Sequence, residues 1–188
     1  MLDEATPSFD GHLAYVVTAT VTIEDDPDAI AAALGHVVDV PQRSRPFHWH
    51  QEGVKARRRM MECLANLGVC AHIVIHYPTA RSGMERARAA AMTTLLPLLL
   101  DDGVEDLLIE RRTPDQDRRD RATLRWALNA LGDPPFTYSW GSKEDPGLWL
   151  PDAVCGAVSM YLDRTDSTWF DQLVEVGVIT EPIYLHKA

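Results

Sequence analysis

The chain has 188 residues and a mass of 21.0 kDa, with 46% hydrophobic and 24% charged side chains, the profile of a folded domain rather than a disordered tail. Its net charge of −10 argues against indiscriminate coating of nucleic acid, which needs many cations to displace condensed counterions. No apolar run approaches the roughly 18–20 residues of a bilayer-spanning helix, the opening MLDEATPSFD lacks the basic end and apolar stretch of a signal peptide, and Cys63, Cys70 and Cys155 are too scattered for a disulfide framework or a zinc knuckle. The expectation is a cytoplasmic protein with no membrane partner, forming one domain over residues 1–188.

The periodicities alternate along the chain. A first strand is expected beside Asp3 and Glu4, and the β-branched, aromatic stretch 12–23 reads as another. Asp25-Asp26-Pro27-Asp28 offers a helix cap with proline in the first turn, ahead of AIAAALGHVV. Residues 46–50 read as a short extended aromatic segment. Residues 52–67 form an amphipathic helix ended by Gly68, and 69–77 (VCAHIVIHY) a strand stopped by Pro78. A long helix follows over 81–100, with Pro97 expected to kink it. The apolar run 104–110 suits a sheet interior. Residues 114–131 form a helix with Gly132 just beyond it. A strand over 136–140, an apolar helix over 148–162, a short helix over 168–175 and a strand over 178–184 complete the set. Strands separated by helices of this length predict a layered α/β fold around a central sheet.

Cations are 15 Arg to 3 Lys, and arginine is the better bidentate partner for phosphate. They cluster as Arg43, Arg45, Lys55, Arg57, Arg58 and Arg59, and again as Arg111, Arg112, Arg118, Arg119, Arg121 and Arg125 among three aspartates. The plainer reading of the second group is a solvated helix face. There is no G-x-G-x-x-G after a strand, no Walker loop, no G-x-S-x-G elbow and no H-E-x-x-H.

What remains is carboxylates at telling positions. Asp3 and Glu4 adjoin the first strand. Glu110 closes the strand LLIE, at the carboxyl end where open α/β sheets place their sites. Asp152 interrupts the apolar helix LWLPDAVCGAVSMYL, where a buried carboxylate must be paired, protonated or metal-bound. Three such acids can hold Mg²⁺ or Mn²⁺ through oxygen, and two such ions clamp a phosphodiester during in-line displacement. Each acid also has a simpler role. Glu110 can pair with Arg111 or Arg112, Asp152 can be a first-turn acid favoured by the helix dipole, and Asp3 and Glu4 can belong to a frayed terminus.

Together these positions resemble the domain-of-unknown-function 3800 family. Its opening strand ends in D-E-S, matched by Asp3-Glu4-Ala5. Its middle strand ends in an acid followed by Arg, matched by Ile109-Glu110-Arg111. Its late Ser and L-Q-L-A-D-hydrophobic-hydrophobic-x-G are matched by Ser142 and by Leu148 to Gly156. The resemblance covers about residues 1–162. It departs at Glu110, where the family carries Asp, and at Pro151, where it carries Ala.

The resemblance implies a ribonuclease-H-like α/β fold, a central mixed sheet flanked by helices on both faces. It also implies an acidic cluster of Asp3, Glu110 and Asp152, with Glu4 as a fourth member, holding two metal ions for phosphodiester cleavage. On this reading the chain is a metal-dependent nuclease with Mg²⁺ or Mn²⁺ as cofactor and nucleic acid as substrate. Arg57, Arg58, Arg111 and Arg112 steady phosphates, Ser142 contacts phosphate or metal-bound water, and His50 or Glu52 moves protons or contacts substrate. The alternative is a noncatalytic ribonuclease-H-like module within a larger assembly.

A rival site lies in H-W-H-Q-E, where an extended backbone would put His48, His50 and Glu52 on one side, a transition-metal arrangement; His72 and His76 likewise share a strand face. Met60 and Met61 read as core, as do Trp126, Trp149 and Trp169. Trp49 and Trp140 are expected to pack, with base stacking the alternative, and the cysteines read as small buried hydrophobes.

Overall fold

The computed structural model describes residues 1–9, 12–23, 26–37, 46–77, 83–179 and 181–185. Arg43 and Arg45 of the first basic group, Asp25, Pro78 and Arg81 lie outside them. The strands are β1 (Leu2–Ala5), β2 (Ser8–Phe9), β3 (His12–Leu13), β4 (Tyr15–Val21), β5 (Cys70–His76), β6 (Asp106–Glu110), β7 (Thr137–Gly141) and β8 (Ile183–Leu185). The helices are α1 (Pro27–Gly35), α2 (Val54–Asn66), α3 (Met84–Asp101), α4 (Pro114–Ala130), α5 (Trp149–Leu162) and α6 (Thr168–Glu175).

Local chemistry sets these boundaries. The side chain of Asp26 caps α1 at the Asp28 amide, with Pro27 in the first turn. Thr113 and Gln116 close a reciprocal capping box on α4, satisfying amide donors that have no helical partner. Every residue of β4 but its last is buried, so this strand is covered on both faces although it runs antiparallel to its neighbours.

Six strands make a mixed sheet in the order β7-β6-β1-β4-β5-β8. β1, β4 and β5 are antiparallel neighbours, β6 runs parallel to β1, β7 parallel to β6, and β8 parallel to β5. β2 and β3 form a separate small hairpin. Because side chains alternate across a strand, the two faces carry different cores. Leu2, Val17, Ala19, Val74 and Ile109 pack with Ala91, Met92 and Leu95 of α3 and Leu124 of α4. Val16, Ile73 and Ile75 pack on the opposite face with Ile30, Leu34, Met60, Leu64, Val154, Val158 and Leu173, from α1, α2, α5 and α6. Each fully buried apolar side chain of this kind contributes about 1.5–3 kcal/mol. No helix of the described residues is long and apolar enough to cross a membrane.

Three expectations change. Residues 46–50 are not a continuous extended segment: Trp49–Gln51 is a 3₁₀ turn that drives the Trp49 indole into the core, where it is fully buried. Trp126 does not pack; it is 64% exposed on α4. Pro97 stands inside α3, which runs through it without a break in its assignment.

Candidate acidic site at the sheet and helix ends

Leu2 faces α3, so alternation turns Asp3 toward α5. Ile109 likewise faces α3, and Glu110 turns with Asp3. Asp3 sits on β1, is 5% exposed, and its carboxyl hydrogen-bonds the Glu110 side chain. Burial is the main reason its proton is held well above the ordinary 3.8, reinforced by the charges of Glu110 and Asp152. Burial also opposes the Glu110 charge, but the hydrogen bond from Asp3 and the Lys143 ammonium outweigh it and leave its carboxyl below the usual range. Within this coupled pair the proton is favoured on the more buried Asp3 and disfavoured on Glu110. Lys143 Nζ lies 3.3 Å from Glu110 Oε1.

Asp152 comes from the first turn of α5. Its Oδ2 accepts the Trp49 amide at 2.7 Å and its Oδ1 lies 3.1 Å from His48 Nδ1. Burial pushes its carboxyl up, and these two partners offset only part of the shift. The 3₁₀ turn is what aims the Trp49 amide at Asp152. Gly156, one turn further along α5, makes room for it, because a methyl there would overlap the Trp49 indole. Arg57 locks the same turn by donating to the Trp49 carbonyl at 3.0 and 3.2 Å and lying over its ring. His48, Glu110, Lys143 and Asp152 line one depression. Beside it a cleft of about 330 Å³ is lined by His48, His50, Asp152, Cys155, Ser159 and Asp163, among others.

The structure thus brings Asp3, Glu110 and Asp152 together, and separates Glu4 from them. Glu4 turns to the other face, where it pairs with Arg88 and lies 3.8 Å from Arg112. Arg88 is 1% exposed and grips Asp120 through Nε and Nη2, while Arg112 reaches Glu85 and Asp120 at 2.9 and 2.8 Å. Glu4 is a member of a buried ion network, and Arg112 is committed to the same network rather than free for phosphate. Arg57 is likewise committed, to Trp49.

Arg58 is exposed on α2. Arg111 is exposed next to Glu110 and donates to the Trp140 carbonyl at 3.1 Å. Ser142 is exposed beside Lys143, its amide bonded to Asp145 and its hydroxyl to Glu144. His50 is exposed, edge-on to His48. Because the backbone turns at Trp49, Asp152 is met by the His48 ring and the Trp49 amide, while Glu52 is buried; the one-sided arrangement expected of an extended motif does not form.

Sequence reasoning missed Lys143. Its signal was available: it is one of three lysines and directly follows Ser142. The acidic oxygens suit a hard divalent cation. Comparison of the chain with protein-family models, with curated proteins and with solved structures gives no match.

Proposed function

We propose that this chain is a divalent-metal-dependent nuclease with a ribonuclease-H-like fold, a relative of the domain-of-unknown-function 3800 proteins that its motifs resemble. The observation that carries the reading is the convergence of Asp3, Glu110 and Asp152 from β1, β6 and α5 on one side of the sheet, with Asp3 buried. The sheet order supports the fold assignment: three antiparallel strands, β5-β4-β1, continued by parallel β6 and β7 on the other side of β1.

In this reading the three carboxylates hold Mg²⁺ or Mn²⁺, which would supply Lewis-acid stabilisation of phosphate oxygens and activation of water. The chain's own residues do the rest. Deprotonation of the Asp3–Glu110 pair prepares the ligands. The Trp49 amide and His48 fix the orientation of Asp152. His48, bordering both the acids and the adjoining cleft, is placed to pass a proton between bound substrate and solvent. Arg111 and Ser142, exposed beside Glu110 and Lys143, are the groups best placed to meet a phosphate, with His50 at the cleft wall.

One observation favours the noncatalytic alternative: Lys143 already neutralises Glu110 from within the chain. The two readings part in a cleavage assay on single- and double-stranded RNA and DNA with Mn²⁺ or Mg²⁺. A nuclease gives metal-dependent products that fall at least a hundredfold in Asp152→Asn. Metal-independent products, or products undiminished in folded Asp152→Asn, refute the nuclease. No cleavage by the folded, metal-loaded wild type favours the binding module.

A further inference from the structure

Away from the acids, at the start of β5, Cys70 and His72 occupy alternate positions of one strand and so share a face. That face carries Val74 against α3, and Asp102 caps the carboxyl end of α3 beside them. One donor atom from each of Cys70, His72 and Asp102 lies within 4.8 Å of the other two, and His72 Nε2 is 2.6 Å from Asp102 Oδ2. A thiol, an imidazole and a carboxylate form the mixed donor set of a tetrahedral zinc site with a fourth position open to water.

A second observation points to a cation. α3 is an 18-residue helix that ends in Asp101 and Asp102 with no basic residue in its last turn. Helix carbonyl ends carry partial negative charge, and acids there are unfavourable. Two acids and a thiol at this end are an arrangement that a divalent cation relieves. Access is not blocked, since the Asp102 side chain is 36% exposed and His72 17%.

We propose that Cys70, His72 and Asp102 form a site for a transition-metal ion of the Zn²⁺ type, separate from the carboxylate cluster and independent of the nuclease reading. Bonds of about 2.0–2.3 Å in a tetrahedron set donor separations near 3.3–3.6 Å. The His72 and Asp102 atoms must therefore part by about 0.7 Å, and Cys70 must move by no more than about 1.3 Å, which rotamer adjustment supplies. Burial and then Asp102 push the Cys70 thiol up, so the free thiol is protonated. On binding, the S–H bond breaks, the sulfur–metal bond forms, and the proton leaves to buffer.

The test uses Co²⁺ as a spectroscopic probe, chased with Zn²⁺. In the wild-type chain one Co²⁺ is expected to give a thiolate-to-metal charge-transfer band, bleached by Zn²⁺ and distinct from any Co²⁺ held by the carboxylate cluster, which carries no thiolate. The band disappears in Cys70→Ser, affinity falls at least tenfold in His72→Ala and in the exposed-site variant Asp102→Asn, and both are unchanged in Cys63→Ser and Asp152→Asn. Circular dichroism confirms folding of each variant. Calorimetry in two buffers of different ionisation enthalpy reads the released proton. No band in the wild type, a band that survives Cys70→Ser, or loss of the band in Asp152→Asn overturns the proposal.

Discussion

Lys143→Met should tighten Mn²⁺ binding at the acidic cluster. The Lys143 ammonium lies 3.3 Å from Glu110, so a metal ligated by Glu110 must displace it or endure its repulsion. At that separation the Coulomb attraction is about 5 kcal/mol at an effective dielectric of 20 and about 1 kcal/mol in bulk water. The Lys143 side chain is 58% exposed, which selects the lower figure, in line with the 0.2–1 kcal/mol measured for exposed pairs. Removing this competitor is therefore worth about 1 kcal/mol, or about fivefold in the dissociation constant for Mn²⁺. Isothermal titration of Mn²⁺ into wild type and Lys143→Met at low ionic strength reads the change directly, and added salt should shrink it. An unchanged or weaker affinity refutes the competition. Outright loss of binding would make Lys143 a support of the site.

Asp3→Asn should abolish Mn²⁺ binding yet stabilise the metal-free protein at neutral pH. Because burial holds the folded proton of Asp3 above the ordinary 3.8, the folded state binds more protons than the unfolded one as pH rises past about 4. Stability contributed by this group is therefore present below that pH and lost as pH rises through the folded value. Denaturant melts across pH should show a shallower decline in the variant, and an identical pH profile would contradict the assignment. By the same linkage, wild-type Mn²⁺ affinity should rise with pH, because binding expels that proton. Arg88→Met, which leaves Asp120 and Glu4 with an incomplete buried partner, should cost roughly 3–5 kcal/mol in urea unfolding; a cost below 1 kcal/mol would show the network to be dispensable. Gly156→Ala should cost roughly 1–3 kcal/mol by overpacking against Trp49 and weaken Mn²⁺ binding by withdrawing the Trp49 amide from Asp152, whereas wild-type affinity would refute that coupling.

Much of the fold was legible because periodicity and punctuation agreed. Helical periodicity with Gly132 just beyond its end locates α4, Asp26-Pro27 locates the start of α1, and VCAHIVIH locates β5. The tail helix 168–175 matches α6. The apolar run before Glu110 put that acid at a strand's end, as β6 has it, and Asp152, the charge in an apolar helix, stands in the first turn of α5 with His48 and the Trp49 amide as partners. What failed depended on tertiary contacts. Nothing local distinguishes an extended P-F-H-W-H from a 3₁₀ turn; the turn is fixed by Arg57, in the next helix, and by Gly156 and Asp152, which are distant in sequence and meet the Trp49 ring and amide.

Asp3 and Glu4 could not both serve one site, since adjacent strand residues face opposite ways. Only the position of Arg88, buried on the α3 side, shows what Glu4 meets. Trp126 fits a helical packing pattern, yet it is exposed because α4 buries the stripe containing Leu124, Ala127 and Leu128 instead. Cys70, His72 and Asp102 are invisible as a group in the sequence, because a whole helix separates the strand from the helix cap that meets it.

Calorimetric titration of Mn²⁺ into the wild-type chain and Asp152→Asn, each shown folded by circular dichroism, tests the carboxylate cluster most directly. The account predicts one or two ions bound by the wild type with proton release, and binding lost in the variant. A folded wild type that takes up no Mn²⁺, or an Asp152→Asn protein that binds as the wild type does, would contradict it.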